Sequence, residues 1–221
     1  MCRAAGLLSG GAGDRDVSIQ PVATVGGAPV ALADVDAAEA RLRGGPLAAA
    51  QPAAGTGEGR QLRRWLTQLI VTERVVAAEA AARGLTAGGA PTEAELLPDV
   101  TARLEIGSIA AAALADPRAR ALFAAVTAGV AVTDDDVAAY HLRNPLRFAA
   151  PTPARHGWRA PPRSAPPLAE VRCAVAEHLL GAARRRAFRI WLEGRRAALV
   201  RLAPGYEHPG DPSQPDNTHR H

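Results

Sequence analysis

The sequence contains no lysine, so all 26 of its basic residues are arginine. Set against 22 acidic residues, they leave a formal net charge of only +4. The arginine-for-lysine bias reads as the coding habit of a GC-rich genome. So small an excess gives no electrostatic footprint for nucleic acid, and none is expected as a partner. Aromatic residues are also scarce, at 4% against 48% hydrophobic content. Alanine and leucine must therefore do most of the packing, which favours helix. The two cysteines, Cys2 and Cys173, lie far apart and form neither a disulfide framework nor a zinc-finger spacing. No apolar run has the length of a membrane span, because arginine and glutamate interrupt every candidate. The opening MCRAAGLLSGGAGDRD lacks a signal-peptide core. These absences lead us to expect a cytoplasmic protein without a membrane span.

What is present is enough for one core, or one core with a small appendage, in 221 residues. Residues 1–16 are Gly-rich and expected to be disordered. From Val17 the pattern turns β-prone, with Val22 and Val25, a Gly26-Gly27 turn and a second short strand over Ala28 to Leu32. Asp34 and Asp36 open a helix to about Arg43, and Gly44 to Gly59 is a mobile linker. A longer helix over Arg60 to Arg83 places Leu62, Trp65, Leu66, Leu69, Val76, Ala77 and Ala80 on one face, and Gly84 stops it. Thr92 and Glu95 have capping-box spacing and open a short helix through Leu96, Leu97, Val100 and Leu104. Ser108 caps a segment to Leu114, and Asp116-Pro117 starts a helix to about Thr127. Asp134, Asp135 and Asp136 begin another, with Val137, Tyr140 and His141 on its stripe, and Asn144-Pro145 ends it. This completes an N-terminal part spanning residues 17–148. Residues 149–166 are a bridge of Pro, Ala and Arg.

Residues 167–205 carry the longest amphipathic pattern. Leu168, Val171, Val175 and Leu179 recur at helical spacing, then Phe188, Trp191, Leu192 and Leu199. Leu199 to Leu202 is a short β-like run before Pro204-Gly205. The stripe needs a partner from upstream. Trp65, Leu69, Phe188, Trp191 and Leu192 either form the core between the two long helices or line a groove for an extended peptide. Arg184, Arg185, Arg186, Arg189, Arg195 and Arg196 form either a solvated face suited to a helix C-terminus or a docking face for an acidic partner protein. Cys173 and His178, five apart, do not share a face and make no nucleophile–base pair.

Residues 206–221 form a His/Pro-rich tail. His208, Asp211, His219 and His221, with Asp216, are suitable donors for a divalent transition metal. Pro209, Pro212 and Pro215 favour an extended, surface-laid chain instead. The spacing matches no zinc motif, so the default is no cofactor.

Four segments in order then carry a resemblance. VATVGGAPVALADVD is followed by RQLRRWLTQLIVTERVVAAEAAARGL, then VTDDDVAAYHLRNPLRF, then RRRAFRIWLEGRRAALVRL. This order resembles the chaperone domain of the SurA-like and PpiC-like parvulin foldases, over roughly residues 20–148 and 167–203. The resemblance implies that the N-terminal helices and the last helix form one domain, and that the last strand pairs with the first. In that family a parvulin isomerase domain lies between the two parts. The bridge 149–166 is too short for one, although Arg155-His156 stands where its first strand would begin. The tail resembles the ending of a small actinobacterial group for which malonyl-CoA:acyl-carrier-protein transacylase activity is implied. That chemistry needs a Gly-His-Ser-x-Gly elbow, and Ser9, Ser18, Ser108, Ser164 and Ser213 all lack it. The expectation is a mainly α fold with a minor two- or three-strand sheet. Its function would be to hold unfolded or extended apolar polypeptide segments without catalysis. A residual prolyl isomerase, the transacylase, or an adaptor in a larger assembly are the alternatives.

Overall fold

The computed structural model describes residues 21–150, the backbone of 154–155 and 158–159, and residues 164–211. The expectations placed on residues 1–20, on His156 and on Asp216, His219 and His221 lie outside the described residues. The chain opens with a hairpin, β1 (Ala23–Val25) and β2 (Ala28–Val30). Gly26 and Gly27 turn it with φ of 58° and 86°, the left-handed pair that a two-residue hairpin turn requires. Helix α1 (Leu32–Arg43) follows at once, its start tied by the Ala31 N–H donating to Asp34 Oδ2 at 2.9 Å. Arg74 also reaches Asp34, at 2.7 Å, and so anchors α1 to the next helix.

Helix α2 (Gly57–Ala82) is capped by Thr56, whose hydroxyl accepts from the Gly59 N–H at 3.0 Å. It ends as foreseen: Gly84 takes φ 64°, and the Leu85 N–H returns to the Ala80 carbonyl at 2.9 Å. Its buried side differs from the expected stripe. Val71 and Val75 are fully buried, Leu69 is half-buried and Ala77 is exposed. The reason is that α2 is covered by several elements at once, so no single stripe describes it. These are α1, β1, α5 (Ser108–Ala113), α6 (Pro117–Val126) and α8 (Leu168–Leu199).

The stretch after Thr92 also departs from the sequence reading. The capping box of Thr92 and Glu95 forms, but α3 (Glu93–Leu96) stops before Pro98. Proline has no N–H to donate and restricts the residue before it. Asp99 then caps a new helix, α4 (Val100–Ile106), accepting from the Ala102 N–H at 2.8 Å. The restart turns Ala102 and Ile106 inward and leaves Val100 and Leu104 exposed. Ser108 is not the cap of α5; Gly107, with φ 88°, holds that position. Helix α6 does start at Asp116-Pro117, and Thr133 with Asp136 boxes the start of α7 (Asp134–Arg143). Within the bridge, β3 (Ala154–Arg155) and β4 (Trp158–Arg159) pair antiparallel.

Helix α8 runs unbroken through Gly181 for 32 residues, about 48 Å. Glycine there has a local reason: a Cβ would meet the Arg185 guanidinium at 3.1 Å. Strand β5 (Val200–Leu202) follows and pairs with β1, Ala23 opposite Leu202 and Val25 opposite Val200. The fold is mainly α with a three-stranded antiparallel sheet ordered β2-β1-β5. The first and last parts of the chain thus share one sheet and one core, in which Phe188 and Leu192 join Val25, Val71, Val75 and Phe123.

The arginines of α8 are not one solvated face. Arg185 is buried, donating from Nε to Glu105 at 2.7 Å and from Nη1 to the Leu96 carbonyl at 3.2 Å. Arg196 is tied to Gln68 and Thr72 on α2. Arg195 donates from Nε at 2.7 Å to Glu79, which is buried and also accepts from Arg83. Burial pushes the Glu79 carboxyl up, but the hydrogen bonds from Arg83 and Arg195 outweigh it and hold the group below its ordinary range. Glu79 therefore stabilises the fold at neutral pH, and that contribution is lost only as pH falls through its lowered folded value. Glu79→Gln should cost about 1.5–3 kcal/mol in a urea melt at neutral pH, the range for hydrogen bonds to charged groups. The deficit should shrink in acid; a cost independent of pH would refute the assignment.

Candidate functional site

A break in the helices makes the site. Where α4 turns into α5 at Gly107, the chain bends away from α8 and leaves a cleft of about 400 Å³. That is within the range of small-ligand sites, roughly 300–1,000 Å³. Its floor is apolar, formed by Ile106, Ile109 and Ala110 on one side and Leu192 on the other. Its rim is polar, with Ser108, Arg189, Glu193, Arg196 and His208, while buried Thr72 lies beneath it. Gly107 needs its left-handed φ for this bend, and any side chain there would be strained.

The rim is held from beneath. The Gln68 side chain accepts from Arg196 and donates to the Tyr206 carbonyl at 2.8 Å, which ties α2, α8 and the segment after β5 together. The Trp65 indole N–H donates to Ser108 Oγ at 3.3 Å, fixing the start of α5 on α2. Burial, and then the neighbouring Arg196, hold the His208 imidazole below its ordinary pKa. Its Nδ1 accepts from the Gly210 N–H at 3.0 Å. No hydrogen bond among the described residues joins Ser108 to a histidine. The arrangement offers an apolar floor and a ring of donors and acceptors; it assembles no nucleophile with a base.

The five residues named from the sequence fall in different places. Leu192 is in the cleft wall and Trp65 braces its rim. Phe188 is 1% exposed and packed between Phe123 and Trp191, with ring centroids at 5.0 and 5.5 Å. A docked chain cannot touch it without displacing the core. Trp191 is half-buried, with the Arg83 guanidinium 5.6 Å above its ring. Leu69 is half-buried and does not line the cleft. The sequence reading missed Ile106, Ile109 and the Gln68–Arg196 tie. The signal for the first two was Gly107-Ser108 interrupting an apolar pattern; nothing in the spacing announces the third. Among the described residues no group of three or more His, Cys, Asp or Glu could hold a metal ion. Of the proposed metal donors, only His208 and Asp211 are described.

A family model described as a family of unknown function (DUF7158) matches residues 21–58, which cover the β1–β2 hairpin, α1 and the approach to α2. No curated protein and no solved structure matches the chain. The matched stretch lies outside the cleft lining.

Because Phe188 is wholly internal, its loss should act on stability. Phe188→Ala should cost about 3–5 kcal/mol by denaturant melt, the range for deleting a buried aromatic ring. A cost under about 1 kcal/mol would mean that the ring is not closed into the core.

Proposed function

We propose that the protein is a non-catalytic binding protein that holds extended, apolar segments of other polypeptides, acting in the cytoplasm. The observation that carries this is the cleft at Gly107, where half-buried Ile109 offers the apolar contact, the buried Ile106 and Leu192 back it, and polar side chains complete the lining. An extended peptide presents the matching chemistry. Alternate side chains bury on an apolar floor, while backbone N–H and C=O groups need partners at the edge. Exposed Ser108 and Arg189 supply such partners. The order of elements that resembles the SurA-like and PpiC-like chaperone domain supports the same reading. So does the pairing of β5 with β1. The bridge 149–166 is too short for a parvulin domain, so we propose no isomerase chemistry. The transacylase reading gains nothing from Ser108, whose hydroxyl accepts from an indole.

A second reading, docking of an acidic partner protein, has one observation in its favour. Arg186 and Arg189 flank exposed Ile190 on α8, and neither guanidinium makes an ion pair among the described residues. No described helix is long and apolar enough to cross a membrane.

Affinity should be roughly micromolar, since an extended client is ordered on docking. At stoichiometric ratios the protein should suppress light scattering by a heat-unfolded client. Ile109→Glu should abolish suppression with an unchanged melting temperature, because Ile109 is only half-buried. No suppression by the wild type, with tight binding to one folded acidic partner, would replace this reading by the second.

A further inference from the structure

We propose that α7 is an acid-released arm: protonation of His178 undocks α7 and Phe148 from the N-terminal half of α8. The inference is independent of the peptide cleft, which lies at the other half of α8. Helix α7 packs on α8. The residues buried there, Val137 and Val175, lie outside the continuous core formed by α2, α6 and the C-terminal half of α8. The arm is therefore a satellite unit with few apolar contacts of its own, the kind of element that opens locally at low cost.

His178 is at the centre of its docking. The imidazole ring is 5.4 Å from the Tyr140 ring and 5.8 Å from the Phe148 ring, centroid to centroid. Tyr140 itself meets Phe148 edge-on at 6.4 Å. The Tyr140 hydroxyl and His178 Nε2 are 3.1 Å apart. In the Nδ1–H tautomer of the neutral ring, the tyrosine O–H donates to Nε2. A proton on Nε2 removes that acceptor and forces the hydroxyl to reverse.

The charged groups around the ring act in both directions: Glu105 and Asp99 favour a proton, while Arg147 and Arg185 oppose it. Helix α4 presents Asp99 and Glu105, and α8 itself carries Glu177 and Arg185. Arg147, in the turn after α7, and Glu95 of α3 line the same cavity. Two of these carboxylates are already engaged. Glu105 accepts from Arg185 at 2.7 Å, and Asp99 caps α4 at 2.8 Å. The Arg147 guanidinium makes no hydrogen bond or ion pair among the described residues, so its repulsion of an imidazolium is not offset locally. Burial first, and Arg147 second, hold the His178 imidazole below its ordinary pKa. The sign follows. Docking is at full strength above the ordinary histidine pKa and weakens as pH falls through that value towards the lower docked one.

The remaining ties of the arm do not require a neutral imidazole. Arg172 pairs with Asp134 at 2.6 Å, and His141 Nε2 meets the Pro166 carbonyl at 3.0 Å, a bond that an imidazolium also makes. Release uncovers Val137, Val175, Tyr140 and Phe148.

The test is amide hydrogen exchange on the full chain between about pH 7.5 and 5.5, corrected for intrinsic rates, with the histidine rings followed by NMR. Protection of the α7 amides should fall several-fold in acid while that of α2 holds. The fall should track the His178 titration. In His178→Gln, whose amide oxygen still accepts from Tyr140, the pH dependence should vanish. Flat α7 protection in the wild type would overturn the proposal. So would a parallel loss in α2, or a fall that does not track the His178 ring.

Discussion

The structure depends on burying one side of α8 against residues far upstream in the chain. Phe188 meets Trp191 on its own helix, but the rest of its surface and that of Leu192 need a partner from elsewhere. They find it in Phe123, in α2 and in the strand that begins the described chain. Glu79 fixes the register of that contact. It is buried between Arg83, at the C-terminal cap of its own helix, and Arg195, 116 positions away. An isolated carboxylate at that depth costs several kcal/mol, so the two arginines are a condition of the packing and not an addition to it. The same constraint sets the sheet. With α8 seated on α2, Val200 to Leu202 emerges beside β1 and completes three strands.

Local signals in the sequence specified the punctuation of this fold. Gly26-Gly27 dictated a tight hairpin, Thr92–Glu95 and Asp116-Pro117 fixed helix starts, and Gly84 fixed a helix end. The resemblance in element order supplied the pairing of the last strand with the first, which no local rule gives. What could not be read was how many sides of a helix are covered. Val71 and Val75 looked peripheral to the stripe of α2 and are central to it, because α2 is enclosed by elements far apart in sequence. The single helix expected through Leu96, Leu97, Val100 and Leu104 is divided at Pro98, which has no N–H to donate, and the restart leaves Val100 and Leu104 exposed.

The site was legible only in outline. Leu192 and Trp65 were singled out, and both serve the cleft, one in its wall and one as a brace. Phe188 shared their spacing but went to the core, since periodicity does not separate a core aromatic from a groove aromatic. The arginines show the same limit. Six in one stretch suggested a common charged face, yet Arg185, Arg195 and Arg196 each serve a separate internal tie. Long side chains reach groups that spacing alone does not reveal. The two halves of α8 thus do different work. The C-terminal half closes the core and walls the cleft, and the N-terminal half carries α7.

The central claim is that the C-terminal half of α8 with β5 is an integral part of a single discontinuous core. Thermal unfolding of a chain ending at Arg186, followed by circular dichroism and compared with the full chain, tests it most directly. The account predicts that the shortened chain loses its cooperative transition, because Phe188, Leu192, Arg195 and β5 leave together. A shortened chain that melts cooperatively at an unchanged temperature would contradict it.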